Sequence, residues 1–355
     1  MIAFLTNKLL YAFAVLLGVS GLVFVLFYVV PGDPARMMLD EKAGEEQLEQ
    51  LRKKYGLDKP VSMQFVYYLN DLSFVSWHSS NSENYTNNAL QQKHFAFTET
   101  TNGTWVFKWP FLRESFHKKG KQVSDIIGET LPNTMILAIT AITISIVIGI
   151  TIGIFSALYK DSWFDKFWTV FGTFGMSLPS FFTAIIIAWL FGYVLSSATG
   201  LGMTGSLYTV DDLGRGRYLD LKNLILPAVT LGIRPLGVVI QLMRNSLLET
   251  MSQDYIRTAK AKGLSTRTIV LKHALRNSLN PVVTTISGWF ASMLAGAVFV
   301  EFIFGWNGLG KQIVDALNFQ DLPVVMGAVL VIALLFVIIN ILVDLIYAWL
   351  DPKMR

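Results

Sequence analysis

Hydrophobic positions along this chain gather into long runs, and the three-to-four-residue spacing of half-buried helices is in the minority. The runs cover Leu9 to Val30, Thr134 to Leu158, about Phe167 to Leu195, Leu224 to about Leu247, Pro281 to Ile303, and Val324 to Leu350. Each approaches or exceeds the roughly twenty residues a helix needs to cross a hydrocarbon core of about 30 Å. The pattern predicts an all-α polytopic membrane protein with six transmembrane helices. Leu178-Pro179-Ser180 interrupts the third run and predicts a kink or tilt at Pro179. Arg234-Pro235 interrupts the fourth.

Polar residues dominate 31–132, where a small α+β insertion is expected. Glu41 to Tyr55 has helical spacing (Leu48, Leu51, Tyr55), and His94 to Trp109 alternates about Asn102-Gly103, a hairpin signal. A three-residue loop, Thr101-Asn102-Gly103, sets Phe97 opposite Phe107 and Phe95 opposite Trp109. That register keeps aromatic rings paired, which a loop of Asn102-Gly103 alone does not. The expected organisation is a first helix over 1–30, an external region over 31–132 with a hairpin near 94–109, and a helical core over 133–350. The core includes a loop at 249–280, and 351–355 form a tail.

Charge then orients the chain. Lys8, Lys160, Lys166, Arg257, Lys260, Lys262, Arg267, Lys272, Arg276, Lys353 and Arg355 all fall on one side of a six-span arrangement. The positive-inside rule makes that side, with both termini, cytoplasmic. The first run is too long for the apolar segment of a cleaved signal peptide and reads as an uncleaved helix. Composition agrees with a membrane protein: 53% of residues are hydrophobic and 15% charged, against about a quarter charged in soluble domains.

Several chemistries are excluded. There is no cysteine, hence no disulfide, thiolate metal site or thiol nucleophile. His78, His94, His117 and His273 have no metal-ligand spacing, and no nucleophile–base pair stands out. Gly305-Trp306-Asn307-Gly308-Leu309-Gly310-Lys311 mimics the glycine spacing of a phosphate-binding loop. However, Gln312 replaces the hydroxyl residue that would hold magnesium, and the motif follows a span, not a buried strand. It reads as a tight turn. Arg234, Glu301 and Asp344 lie in or at the ends of spans, where a charge is a functional candidate by default. Arg234 is placed to meet a substrate carboxylate or to snorkel outward, Glu301 at an outer rim, and Asp344 at an inner rim or against a neighbouring helix. Arg234, Pro179 and Asp344 are the candidates for a translocation path.

The most informative stretch is Asp254-Tyr255-Ile256-Arg257-Thr258-Ala259-Lys260-Ala261-Lys262-Gly263-Leu264-Ser265. It predicts a short helix with Ile256 and Ala259 on one face, stopped at Gly263. Ser265 caps a second helix that offers Ile269, Leu271 and Leu275 for packing. Small residues before a glycine stop suit a helix that sits in a partner's groove; a charged loop that only sets topology is the plainer alternative.

Thr258-Ala259-Lys260-Ala261-Lys262-Gly263-Leu264 resembles the coupling loop of ABC importer permeases, in the form found in the dipeptide, oligopeptide and nickel group. Pro31-Gly32-Asp33-Pro34, Tyr55-Gly56-Leu57-Asp58, Leu131-Pro132-Asn133-Thr134, Ser177-Leu178-Pro179-Ser180 and Leu350-Asp351-Pro352 are similar to that family as well. Arg257 stands where the general motif has Glu and Arg276 where it ends in Leu-Pro, both ordinary in the peptide group. The stretch from about Leu72 to Phe111 is an insertion relative to compact members, with no role to transfer.

The resemblance implies a type I ABC importer permease fold in the bacterial inner membrane and no enzyme activity in this chain. It implies translocation of di- or oligopeptides, with nickel or another small solute as the alternative, through a coupling loop at 255–265. The implied partners are a second permease, two ATPase subunits that bind ATP and magnesium, an external solute-binding protein and the lipid bilayer. No nucleic acid and no cofactor of this chain's own are implied. An ion-gradient transporter would need inverted repeats and acids deep in the spans. A membrane enzyme acting through its external domain would leave the coupling loop without a purpose.

Overall fold

In the computed structural model, residues 2–29, 34–37, 44–81, 84–88, 94–210 and 216–350 are described. Pro31-Gly32-Asp33, the start of the 41–55 stretch and the 351–355 tail lie outside them. The chain divides into two compact units, Met1–Glu129 with Gln312–Leu334, and Thr130–Lys311 with Leu335–Arg355.

Among the described residues, four helices are long and apolar enough to cross a membrane: Val123–Leu158, Lys222–Met251, Asn280–Phe304 and Leu322–Val343. A bent pair, Trp163–Ser177 with Ser180–Val194, is a fifth candidate. The first helix, Ile2–Val29, has a shorter apolar stretch at Leu10–Leu26.

The bend at Pro179 exceeds the expected kink. Proline lacks an N–H and drives the residue before it out of the helical region. Leu178 (ψ 136°) and Pro179 (ψ 138°) are both extended. Two consecutive residues leave the helix, so the direction turns by 113°.

In the first unit, helix Glu45–Tyr55 ends at Gly56 with φ 67°, and helix Val61–Leu72 leads into a three-stranded antiparallel sheet. Its strands are β1 (Val75–Ser79), β2 (His94–Thr100) and β3 (Gly103–Lys108), in the order β1-β3-β2. β2 and β3 form a hairpin in a register different from that expected. Thr100 pairs with Gly103 across Thr101-Asn102, and a bulge between Ala96 and Thr98 then brings Phe95 opposite Phe107. Gly103 lies against the His78 carbonyl and the Trp77 ring, so close that a Cβ there would collide. It is therefore held in the strand and is not free to form the turn.

Beneath the sheet Asp71 is fully buried. Its Oδ2 accepts from Tyr85 Oη (2.6 Å) and Arg113 Nε (2.9 Å), and its carbonyl accepts from Lys108 Nζ (2.8 Å). Burial pushes the Tyr85 hydroxyl well above its ordinary pKa and the Lys108 ammonium below its own.

The second unit is organised around helix Lys222–Met251. Gly237 meets the backbone of Gly172 on helix Trp163–Ser177, and Gly149 and Gly153 of helix Val123–Leu158 lie against Val239 and Met243. Without a hydrophobic drive between helices in lipid, such close backbone approach is what holds them. The Ser145 hydroxyl reaches both Ala141 O and Gly232 O at 2.8 Å. Strands Tyr208–Val210 and Arg217–Leu219, which the pattern did not reveal, pair as a short ribbon.

Candidate functional site

The basic segment after helix Lys222–Met251 folds as the spacing predicts, and its local chemistry explains why. Helix Asp254–Ala261 starts after Gln253 in extended conformation, with Asp254 in the first turn where the helix dipole favours an acid. It stops at Gly263, whose φ of 77° suits glycine. Leu264 N–H donates to Ala259 O (3.3 Å) and Gly263 N–H to Lys260 O (2.9 Å), which completes a Schellman stop. Ser265 then caps the next turn, its Oγ accepting from Thr268 N–H. A π-helical turn over Ile269–Ala274 follows.

The packing differs from the expectation in one respect. Ile256 and Ala259 are buried in the chain's own core, with Met243, Leu247, Ile269, Val270, Ala274 and Val282. They are therefore unavailable to a partner. The outward surface is Asp254, Tyr255, Arg257, Thr258, Lys260, Ala261, Lys262, Gly263, Leu264 and Ser265, all exposed. Of the second helix's expected packing residues, Ile269 is buried and Leu275 partly so. Leu271 is 53% exposed, because the π-helical turn rotates it outward. Asn277 Nδ2 donates to Tyr255 Oη (2.9 Å), which ties the helix to the Leu275–Ser278 turn. The result is a basic knob whose apolar side is anchored inward.

An ion pair that sequence reasoning missed ties helix Trp163–Ser177 to helix Lys222–Met251. Ser162 Oγ caps helix Trp163–Ser177 by accepting from Asp165 N–H (3.2 Å). Arg244 grips the Asp165 carboxylate with two donors, Nε to Oδ1 at 2.5 Å and Nη2 to Oδ2 at 2.6 Å. Only the Ser-x-x-Asp spacing was a signal for it. Asp165→Asn is expected to lower stability by about 1–3 kcal/mol, the usual worth of a charge-assisted bond. Arg244→Ala should do the same, with clear non-additivity in the double variant. Thermal melting of the solubilised protein checks both.

The translocation candidates fare unequally. The Arg234 guanidinium is exposed and lies 5.8 Å from the centre of the Trp289 ring. Gly175, one turn before Pro179, abuts the backbone of Ile233, so the Pro179 bend and Arg234 share a neighbourhood. Asp344 belongs to helix Leu322–Leu350, and its side chain lies outside the described residues.

Glu301 lies one turn before the end of helix Asn280–Phe304, and its side chain is fully buried. Its Oε1 accepts from Thr134 Oγ1 (2.6 Å) and its Oε2 from Lys311 N–H (3.1 Å). Thr134 Oγ1 in turn accepts from Leu309 N–H (2.8 Å). Asn133 Nδ2 donates to Asn307 O (2.7 Å), and Trp306 Nε1 donates to Asn133 O (3.1 Å). A Cβ on Gly308 would fall inside the Glu301 carboxylate, and one on Gly310 would strike the Val298 backbone. The glycine-rich loop that mimics a phosphate cradle thus closes around a carboxylate of its own chain.

Comparison with known proteins follows the same outline. Residues 149–355 match the family described as binding-protein-dependent transport system inner membrane component, and residues 1–90 match its N-terminal counterpart. The dipeptide transport system permease protein of Alkalihalophilus pseudofirmus is 31% identical over 368 residues, covering 100% of both chains. The di/tripeptide transport system permease protein of Pseudomonas aeruginosa is 31% identical over 369 residues, covering 100% of this chain and 99% of that one. Among solved structures, a chain of an inward-facing methionine ABC transporter aligns with TM-score 0.49 and 16% identity, over 64% of this chain and 97% of that one.

Proposed function

Because this chain belongs to the family of binding-protein-dependent transport system inner membrane components, we propose that it carries di- or oligopeptides inward in a six-span type I permease fold. The chain is a permease subunit of an ABC importer and a multi-pass protein of the inner membrane. The observation that carries the peptide reading is the end-to-end match to relatives named as dipeptide and di/tripeptide permeases.

In this reading both termini are cytoplasmic and the Asp254–Ala261 helix is the coupling helix. Two ATPase subunits bind ATP and magnesium. One of them receives the exposed face of this helix, and a second permease presents its own helix to the other. A solute-binding protein delivers peptide from outside. Closure of the ATPase pair pushes the knob, and because Ile256 and Ala259 root it in the core, the push reaches helix Lys222–Met251 without being absorbed locally. The physical requirement is two states of comparable energy that the ligands bias. Arg234, exposed beside the Pro179 bend, is the candidate for a peptide carboxylate.

The test is to tag this chain, isolate what accompanies it from membranes, and measure ATP-dependent uptake of a labelled dipeptide in reconstituted vesicles. A complex holding an ATPase pair and a second permease, active only with the binding protein, supports the reading. Uptake of nickel but no peptide would overturn the substrate. A lone chain driven by an ion gradient would overturn the class. Arg234→Ala is expected to reduce uptake severalfold at limiting peptide and much less at saturation.

A further inference from the structure

The external sheet is built inside out. In a sheet wetted on one side, apolar residues alternate inward and polar residues outward. Here Ser76, His78 and Lys108 are buried beside Val106. The opposite face of β1 and β3 carries Val75, Trp105 and Phe107, all exposed, and Trp109 follows, 76% exposed. Phe95 pairs across from Phe107 and is 71% exposed, and the bulge leaves Phe97 exposed beside it. Phe74 packs at 6.2 Å on Phe107 and 5.8 Å on Trp109, so the rings form one continuous surface. With these aromatic side chains roughly half exposed, the patch amounts to several hundred Å², the size at which an exposed apolar surface marks an interaction site.

Its position identifies the occupant. Helix Val61–Leu72 is packed on the first helix: Phe65 and Tyr68 lie 5.0 and 5.9 Å from Phe24. Leu72 joins the same cluster, with Val19, Met326 and Leu330. Phe24 and Val19 belong to the apolar Leu10–Leu26 stretch, which exposes Phe13, Leu17, Leu22 and Val25. β1 begins three residues after Leu72, a reach of about 10 Å. The aromatic face therefore begins within about 10 Å of the end of the helix that packs on the apolar stretch of the first helix. None of its named residues is charged, and Trp105 and Trp109 have the amphipathic rings that favour the headgroup level.

We propose that this sheet face is a membrane anchor, seated in the boundary between headgroups and acyl chains of the outer leaflet. It holds the external domain against the bilayer. The proposal rests on the six-span reading, in which the first helix crosses the membrane. Its ligand is the phospholipid surface itself, and with no charge on the face it needs no anionic lipid.

The native chain lacks cysteine, so single reporters are straightforward to place. Phe107→Cys and Trp109→Cys carry a spin label in the assembled transporter, with partner cysteines replaced, in phosphatidylcholine vesicles with and without phosphatidylglycerol. Phe13→Cys on the first helix and Glu99→Cys near the hairpin tip serve as references, and retained uptake shows that each variant is folded. Labels at 107 and 109 are expected to collide with oxygen in preference to a water-soluble nickel chelate, as at 13 and unlike 99, whatever the lipid charge. Nickel preference at 107 and 109 with oxygen preference at 13 overturns the anchor and leaves the topology standing. Protection from both agents overturns it in favour of a protein cover, the binding protein or a second permease. Nickel preference at 13 overturns the topology and the anchor with it.

Discussion

Gly263→Arg is expected to cut ATP-driven uptake at least tenfold and to reduce recovery of the ATPase subunits with the tagged permease. Gly263 has φ of 77°, and nothing lies within 4 Å of the position a Cβ would take. The penalty is therefore one of backbone conformation, about 1–2 kcal/mol for an L side chain in the left-handed region. Relief of that strain opens the two bonds that end the helix, Leu264 N–H to Ala259 O and Gly263 N–H to Lys260 O. The arginine also projects from a surface that must fit a partner. The graded series makes the argument specific. Gly263→Asn should keep most activity because asparagine tolerates this conformation, and Gly263→Ala should be intermediate. Wild-type uptake and wild-type ATPase recovery in Gly263→Arg would remove this segment from the coupling path.

Glu301→Ala should be the most destabilising single change considered, by about 2–5 kcal/mol, the range for breaking a buried hydrogen-bond network. Its carboxylate is the shared acceptor for Thr134 Oγ1 and Lys311 N–H. Removal leaves those buried donors without it and opens a void under Gly308. Glu301→Gln retains one oxygen but turns an amide NH₂ toward a donor, so a smaller loss is expected. Thr134→Val should also lose stability, since Thr134 Oγ1 relays between Glu301 and Leu309 N–H. Melting curves of the purified protein in detergent decide the matter. An alanine variant that melts with the wild type would mean the node is incidental.

The two predictions differ in how far the sequence foretold them. Gly263 was readable because a helix stop is local: the glycine, the small residues before it and the Ser265 cap lie within a few residues of one another. The burial of Glu301 was not readable because its partners, Thr134 and the 308–311 backbone, are distant in sequence or belong to a loop whose glycine spacing suggested a different ligand. Arg244 went unnoticed for the same reason, since its partner Asp165 lies 79 residues away. Pro179 was recognised as a breaker, but the size of the turn depended on Leu178 also leaving the helix.

By itself the sequence determined the class: long apolar runs admit little but membrane helices, and basic residues near their ends imply an orientation. It also determined the local stops and caps of the basic segment, which depend on neighbours a few positions apart. Alternation marked the hairpin, yet alternation is symmetric and cannot say which face points inward. Only the tertiary structure decided that Ser76, His78 and Lys108 go under the sheet and the aromatic rings go out, because Asp71, buried from another element, offers its carbonyl to Lys108. It likewise decided that Ile256 and Ala259 root the basic knob in its own core. Partner choice between distant residues is settled by packing and by satisfying buried polar groups, and neither is written in the spacing of one segment.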